Sequence, residues 1–281
     1  MRRIMAFVLA LLTAMAAFRF IPGLAGLWQG AIALPLLSAL HRLTGMLPFP
    51  ALEPLLLFFL IALLHRRARP VALALIVGMY ALLWYPAYFT FPEPQYEVPG
   101  TEQLCVQLID ALDASDLAFE DPFDDAAAVA GLPEARVKPA RYPEWMRAMD
   151  IAGVFVPWTG EALVDSGASA GYLPFTCVHE LMHLKGIADE GAANIAAYRA
   201  CTARGGMFAD SARLWALRYA LGPLDAGIRD RLTRRMKPEL RALSACAAPR
   251  SPSPLACLLG IGDAVRDYDA VLGWLTSAGG I

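Results

Sequence analysis

The sequence contains few charged residues, few cysteines and few histidines. Charged residues make up 18% of the 281 positions and hydrophobic residues 57%, which excludes a disordered chain and makes a membrane protein the first hypothesis. Five cysteines are too few for a disulfide scaffold, and none has the Cys-x-x-Cys spacing of a structural zinc site. Four histidines limit any metal site to a small number of imidazole ligands.

Charge is distributed unevenly along the chain. Residues 1–90 contain seven basic residues, none of them lysine, and one acidic residue, so their net charge is +6. Residues 91–281 contain 17 basic and 25 acidic residues, so their net charge is −8. The two stretches are therefore predicted to be separate units in different environments. The acidic second unit argues against a nucleic-acid partner, because a surface that follows phosphates needs clustered Lys or Arg.

Residues 1–90 are predicted to be a membrane anchor of about three transmembrane helices, with the lipid bilayer as its partner. Uncharged runs cover residues 4–18, 20–40, 54–64 and 71–89. Glycine and proline interrupt the second run, and we expect residues 23–45 to lie against the outer leaflet. The basic loop at residues 65–69 is predicted to be cytoplasmic by the positive-inside rule, which makes residues 91–281 an extracytoplasmic domain.

Two features of the anchor have alternative interpretations. Ala14-Met15-Ala16 follows an apolar run, as in a cleavable signal peptide, although the later runs would keep the protein in the membrane in either case. Trp84, Tyr85 and Tyr88 lie where the last run would leave the hydrocarbon, and we expect them to be aromatic anchors at the membrane interface.

Residues 91–281 are predicted to form an α+β domain that is mostly helical and has one small β-hairpin. Thr101–Ser115 places its leucines on one helical face. Further helices are expected near residues 175–185, 189–204, 208–221, 225–246 and 260–276. Gly153–Trp158 and Glu161–Val164 are predicted strands on either side of a Thr-Gly turn. The fold class is therefore mainly α, with N-terminal transmembrane helices before the α+β domain.

The cysteines are predicted to have structural roles. Cys246 and Cys257 flank a loop rich in Pro and Ser, and a disulfide between them would close that loop in an oxidising compartment. Cys105, Cys177 and Cys201 are expected to be buried small hydrophobic residues.

One motif carries chemistry: His179-Glu180-Leu181-Met182-His183. Two histidines four residues apart lie on the same face of a helix, so both imidazoles can bind one Zn²⁺. Glu180 can take the proton of a water that this metal activates, so the motif predicts peptide-bond hydrolysis with Glu180 as general base. The apolar residues before the motif predict a buried helix, in which two His and one Glu need a shared partner such as a metal.

The third metal ligand is expected to be a carboxylate, because the remaining histidines, His41 and His65, lie in or beside the anchor. Glu190 is the favoured ligand. It would begin the next helix and face the motif, and Asn194 one turn later would hold His179 in its productive tautomer, as in the Glu-zincin arrangement. A satisfied interior amide is the alternative role for Asn194.

Asp189 is the alternative third ligand. Gly186 can turn the chain after His183, and the spacing then resembles sites in which a tight turn returns the third ligand to the metal. If Glu190 is the ligand instead, Asp189 is expected to cap the helix that follows.

Three further residues are candidates for contact with a substrate. Tyr198, eight residues after Glu190, could donate a hydrogen bond to a developing oxyanion, although packing in the core is the simpler role. Trp158 and Glu161 belong to the predicted hairpin and would line the cleft if that hairpin bound an extended peptide; otherwise the hairpin covers the core.

These segments resemble a family of bacterial membrane proteins known as domain of unknown function 3810, which look like integral-membrane zinc metallopeptidases. Three blocks carry the resemblance, namely Pro157–Ala162, Leu173–His183 and the stretch from Gly186 to Cys201. The resemblance implies a gluzincin-like, zincin-type domain on the outer side of the bacterial plasma membrane. The family has the segment Glu-Asp-Glu-Ala-Asn, whereas this chain has Ala192 in place of the second glutamate.

Two classes of function are predicted. The first is a membrane-anchored zinc metallopeptidase that cleaves peptides or envelope proteins. The second is a non-catalytic membrane protein that uses a degenerate metal site for structure or partner binding. Glu180 favours the first, because a structural zinc site has no need of a general base.

Overall fold

The computed structural model describes residues 2–90, 101–149, 151–245 and 271–277. The first part, up to residue 90, is helical. Its α-helices are α1 (Arg2–Phe20), α2 (Leu24–Trp28), α3 (Leu34–Gly45), α4 (Leu52–Leu64) and α5 (Arg69–Met79). π-helical turns at Gln29–Ala33 and Tyr80–Trp84 and a 3₁₀ turn at Tyr85–Phe89 continue α2 and α5 without a break. The predicted Cys246–Cys257 disulfide lies outside the described residues.

Two continuous helical segments, Leu24–Gly45 and Arg69–Phe89, are long and apolar enough to cross a membrane. Their mean hydropathies are 1.3 and 1.7. The apolar part of α1 and all of α4 are shorter apolar helices. The predicted association with a membrane therefore has support from length and composition.

The helices of the first part pack in a defined order. Phe7 contacts Gly78, and the Arg19 guanidinium lies 6.0 Å from the centroid of the Phe89 ring, so α1 runs parallel to Arg69–Phe89. A short turn at residues 65–68 makes α4 and α5 an antiparallel pair. We call Leu24–Gly45 the bridging segment, because it connects these helices to the second part of the chain.

The second part contains most of the helices and a three-stranded sheet. Its helices are α6 (Thr101–Asp113), α7 (Phe123–Val129), α8 (Pro143–Ala148), α9 (Leu173–Leu184), α10 (Glu190–Arg204), α11 (Gly206–Leu221), α12 (Ala226–Arg235), α13 (Pro238–Ala245) and α14 (residues 271–277). The single helix predicted over residues 225–246 is two helices. The chain is extended at Met236, and Pro238 could not continue the helix, because it has no backbone N–H and its ring would clash with the carbonyl group four residues earlier.

The sheet has the order β1-β3-β2, with strands β1 (Val137–Pro139), β2 (Gly153–Val156) and β3 (Glu161–Val164). The predicted hairpin is confirmed, since β2 pairs with β3 in antiparallel register from Gly153 opposite Val164 to Val156 opposite Glu161. β1 pairs with β3 in parallel and lies in a stretch for which no strand was predicted. Within the described sheet β2 is an edge strand.

The two parts of the chain share one hydrophobic core. Leu37, Leu83 and Trp84 from the first part pack in the same cluster as buried residues of α6 and α9 to α11. Trp84 was expected to be a membrane-interface anchor, but it is only 7% exposed because it meets the second part instead of lipid headgroups. The apolar N-terminal helices and the acidic second part are therefore in direct contact.

Candidate metal centre

The candidate site lies between α9 and α10. Every residue of α9 from Pro174 to Leu184 except His179 is buried, so this helix is a central element of the core. Gly186 has φ +90°, a conformation that favours glycine, and it turns the chain after α9 so that α10 faces the motif. Asp189 caps α10, since its carboxylate accepts a hydrogen bond from the Ala192 backbone N–H over 2.7 Å.

Three predicted ligands converge on one point. Nε2 of His179 lies 3.1 Å from Nε2 of His183 and 3.1 Å from Oε2 of Glu190. Nε2 of His183 lies 3.4 Å from Oε1 of Glu190. Ligands at zinc distances in a tetrahedral site are about 3.3 Å apart, so these three groups fit three corners of a zinc tetrahedron. Among the described residues they are also the one group of three donors close enough to hold a metal ion.

The surroundings of His183 fix its orientation. Its Nδ1 lies 2.7 Å from the Ile187 carbonyl oxygen and donates to it in the tautomer that leaves Nε2 free to bind a metal. The ring packs against both Trp84 and Phe155, at centroid distances of 5.7 and 6.4 Å, and those two rings also contact each other. Burial alone would lower the pKa of His183, but the Glu190 carboxylate outweighs it and raises the pKa to about 9. A metal ion would replace that proton.

Glu190 is the accessible member of the group. Its side chain is 50% exposed, so the site opens to the outside along this edge. Partial burial would raise the pKa of Glu190, but the imidazoles of His183 and His179 hold it well below its usual range. The carboxylate therefore presents its negative charge to the two histidines across the pH range in which imidazoles bind metals.

Glu180 lies beside the ligands under strand β2. It is 4% exposed, and its Oε2 has no hydrogen-bond partner among the described residues. A Cβ at Gly153 would overlap Oε1 of Glu180, so only glycine lets the strand approach the motif this closely. Burial raises the pKa of Glu180 to about 7, although His179 and His183 and a hydrogen bond from the Phe155 backbone partly oppose the shift.

Asn194 and Tyr198 do not make the contacts predicted for them. Asn194 is buried one turn after Glu190, but Nδ1 of His179 has no hydrogen-bond partner among the described residues, and the His179 ring packs against Phe175. Tyr198 is 1% exposed, its ring packs 6.0 Å from Trp274, and burial raises its pKa to about 12. The structure therefore places Tyr198 in the core, away from a position that meets a substrate.

Trp158 and Glu161 lie at the contact with the first part, not in a cleft. The indole N–H of Trp158 donates to the Ile76 carbonyl over 3.0 Å, and the ring stacks on Tyr80. Glu161 is 2% exposed and binds the start of α4 and Lys138. Both residues were predicted to line a cleft if the hairpin bound an extended peptide, but here they contact the helices of the first part.

Residues 123–243 match one family model. Its description is "Protein of unknown function (DUF3810)". The match contains the three strands, the motif on α9 and the candidate ligand on α10, and it supports the resemblance to that family over fewer than half of the residues. No curated protein and no solved structure matches the chain.

Two residues contact the candidate site without having been predicted to do so from the sequence. Gly153 lies within the region that matches the DUF3810 model. A glycine at the start of a strand can indicate that another group approaches the backbone closely, and this pattern could have pointed to Gly153. Trp84 lies outside that region, and an aromatic residue near the end of an apolar run gives no sign of whether it faces lipid or protein.

Proposed function

We propose that the protein is a membrane-anchored zinc metallopeptidase in which His179, His183 and Glu190 hold the metal and Glu180 is the general base. One observation carries this proposal, namely the convergence of two Nε2 atoms and a carboxylate at separations of 3.1 to 3.4 Å. A fourth tetrahedral position would remain for water or substrate, as catalytic zinc sites require. Bound zinc would polarise the attacking water and the substrate carbonyl.

Glu180 is positioned for proton transfer. It is adjacent to the ligand His179 in the chain and has one carboxylate oxygen without a partner. That oxygen can accept the proton of the attacking water and later deliver it to the leaving amine. A peptide fits this site because β2, the edge strand above Glu180, can pair with an extended chain.

The packing of the helices supports a three-span anchor with its amino terminus in the cytoplasm. α1 runs parallel to Arg69–Phe89, and α4 runs antiparallel to it, so the basic turn at residues 65–68 lies on the same side as the amino terminus. Both ends of the bridging segment contact elements on the outer side, which is opposite to the side of the amino terminus and the basic turn. Trp28 Nε1 donates to the Leu82 carbonyl over 2.7 Å, and His41 Nδ1 donates to the Gly160 carbonyl over 2.7 Å. The bridging segment then lies along the outer surface, and the candidate site is extracytoplasmic.

A non-catalytic metal site is the second candidate function. The observation that favours it is the buried Nδ1 of His179, which has no hydrogen-bond partner among the described residues. In zinc enzymes this edge of a ligand histidine is normally held by a carboxylate, carbonyl or water. A site that lacks this support would bind zinc more weakly and orient it less well.

The deciding experiment measures zinc and peptidase activity on the same full-length, detergent-purified protein. We expect stoichiometric zinc in the wild type and in Glu180→Gln, and hydrolysis of a quenched fluorescent peptide library by the wild type alone. The double variant His179→Ala, His183→Ala should contain no zinc. Stoichiometric zinc in the wild type without hydrolysis of any library member would favour the non-catalytic function, and zinc retained in the double histidine variant would exclude the proposed site.

A further inference from the structure

The candidate site is built directly against the membrane helices. The Trp84 ring, one turn before the end of Arg69–Phe89, packs edge-on against the His183 ring at 5.7 Å. A Cβ at Gly186, the turn between the two site helices, would lie 2.8 Å from Leu34 and 2.9 Å from the Gln29 amide of the bridging segment. One wall of the site is therefore made of residues from the part of the chain that enters the bilayer.

Buried hydrogen bonds fix the height of the site above these helices. The Arg136 backbone N–H donates to Nε2 of His41 over 2.9 Å, while Nδ1 of the same ring donates to Gly160. The Thr44 hydroxyl donates to the Thr159 carbonyl over 3.2 Å. Lys138 donates to carbonyls of the bridging segment and the loop after it and to Glu161. Because these polar groups are paired and mostly buried, the domain cannot swing away from the membrane without breaking them.

The bridging segment marks the level of the bilayer surface. Its protein-facing side is a stripe of buried residues at helical spacing, namely Ala25, Gln29, Ala33, Leu37, His41 and Thr44. Its opposite side exposes large apolar residues, with Leu27 at 73% and Leu43 at 66%. Met46, just after the segment, is 81% exposed. An exposed apolar face of this length is typical of a surface that contacts lipid, and the contacts of both ends of the segment with outer-side elements favour a position along the bilayer surface over a membrane crossing.

From this placement we propose that the substrate is itself anchored in the membrane and is cut in the short stretch just outside its own transmembrane span. The inference rests on the proposed peptidase function. Trp84, which packs on the ligand His183, precedes the end of Arg69–Phe89 by five residues, an axial distance of no more than about 10 Å. An extended peptide covers about 3.3 Å per residue, so about three residues span this distance, and bonds much further from the bilayer reach the site only if the chain folds back.

A shared membrane also favours such substrates kinetically. Two proteins in the same bilayer meet at a high effective concentration, and this advantage applies only to peptide bonds whose distance from the membrane matches the height of the site. The half-exposed Glu190 leaves one edge of the site open for a laterally approaching chain. β2 then offers its edge to the extended stretch of that chain.

The test uses full-length Glu180→Gln protein in liposomes together with a designed single-span protein. This probe has an unstructured extracytoplasmic stalk with one photo-crosslinking residue placed at about 3, 6, 12, 24 or 36 residues beyond its span, positions that run from the reach of about three residues to well beyond it. We expect crosslinks to residues of β2 and α10 from the first two or three positions and at least tenfold fewer from the last two. The matched control is the same stalk without its span, added to the same liposomes.

The outcomes separate this inference from the proposed function. Equal crosslinking from all positions, or from the stalk without its span, overturns the membrane-proximal substrate while the peptidase proposal stands on its zinc and library measurements. A parallel digest with wild-type protein should release cleaved stalk from the membrane-anchored probe, whereas equal cleavage of the soluble stalk would overturn the inference. Absence of zinc from the wild type would overturn both proposals.

Discussion

Glu161 and Glu180 are two buried carboxylates in the same domain, and they differ in what surrounds them. Glu161 is 2% exposed, and its oxygens accept hydrogen bonds from the Ala51 and Leu52 backbone N–H groups and from Lys138, at 2.8 to 3.0 Å. Glu180 is 4% exposed, but its Oε2 has no partner among the described residues, and burial raises its pKa to about 7. Buried polar groups are nearly always paired, so an unpaired one beside two imidazoles indicates a role in chemistry.

The contrast separates two regions with different tasks. The contact between the N-terminal helices and the second part uses its polar groups to hold the structure together, and Glu161 serves both as a helix cap for α4 and as the partner of Lys138. In the site between α9 and α10, by contrast, the Nε2 atoms of His179 and His183 face each other and Glu190, and one Glu180 oxygen has no partner among the described residues. If this distinction is right, substitutions in the two regions should change different measured quantities.

The largest expected effect is on activity. Replacing Glu180 by Gln removes the proton acceptor and keeps the shape, so we expect peptide hydrolysis to fall by about 100- to 10,000-fold while zinc content stays unchanged. Activity assays and metal analysis on the same preparation check this. Glu120→Gln, at an exposed position, is the matched control and should behave as the wild type. If the Glu180→Gln protein had wild-type activity, Glu180 would not be the general base and its assigned chemical role would be wrong.

The second effect is on stability. Glu161→Gln leaves the Lys138 side chain, which is 12% exposed, without its anionic partner, so the free energy of unfolding should fall by about 3–5 kcal/mol. Thermal unfolding in detergent measures the loss. Glu144→Gln breaks an exposed ion pair with Arg147 and should cost no more than about 1 kcal/mol. Equal effects of the two substitutions would show that Glu161 is not structural.

The third effect depends on pH and concerns protein stripped of metal with a chelator. The folded-state pKa of Glu180, about 7, is above its ordinary value of 4.5, so folding favours the neutral acid. The destabilisation that comes from keeping Glu180 buried is therefore absent below pH 4.5 and grows as the pH rises towards 7. We expect Glu180→Gln to become more stable than the wild type across that window, by up to about 3 kcal/mol at pH 7 and above. A stability difference that shrinks with rising pH would contradict the burial of an unpaired acid.

Much of the candidate site could be predicted from local sequence. The spacing of His179 and His183 on a helix fixes their common face, and the predicted start of the next helix at Asp189 brings Glu190 opposite that face. The Thr-Gly turn predicts the β2–β3 hairpin. These features depend on residues within one or two turns of each other, where periodicity and capping preferences act directly.

The contact between the N-terminal helices and the second part could not be predicted in the same way. His41 pairs with Gly160 across 119 residues of sequence, and no local pattern links the two. β1 has only three residues and ends in Pro139, so it shows no alternating pattern. Trp84 is a residue type that is common at membrane interfaces, but it is buried in the protein core. Tertiary contact decides each of these cases.

The fourth prediction applies the same contrast to two adjacent carboxylates. Glu190 faces both imidazoles, whereas Asp189 accepts from the α10 backbone. Glu190→Gln should weaken zinc binding at least tenfold, since the loss of groups that only support a ligand already costs 10- to 100-fold. Competition with a zinc chelator of known affinity measures this. A larger loss in Asp189→Asn than in Glu190→Gln would transfer the ligand role to Asp189.

The smallest expected effect is the cost of removing the cap of α10. Asp189→Ala deletes the acceptor for the Ala192 N–H and should lower the free energy of unfolding by about 1 kcal/mol, while Asp189→Asn keeps an acceptor of nearly equal capping preference and should cost less. Zinc affinity should change in neither variant by as much as it changes in Glu190→Gln, because the position of Glu190 depends on the whole of α10 and its packing on α9. Denaturant unfolding and chelator competition on both variants give the two numbers. If Asp189→Ala lost zinc and Asp189→Asn kept it, the cap itself would be needed to orient Glu190 towards the histidines. The distinction between structural and chemical carboxylates would then not hold at the start of this helix.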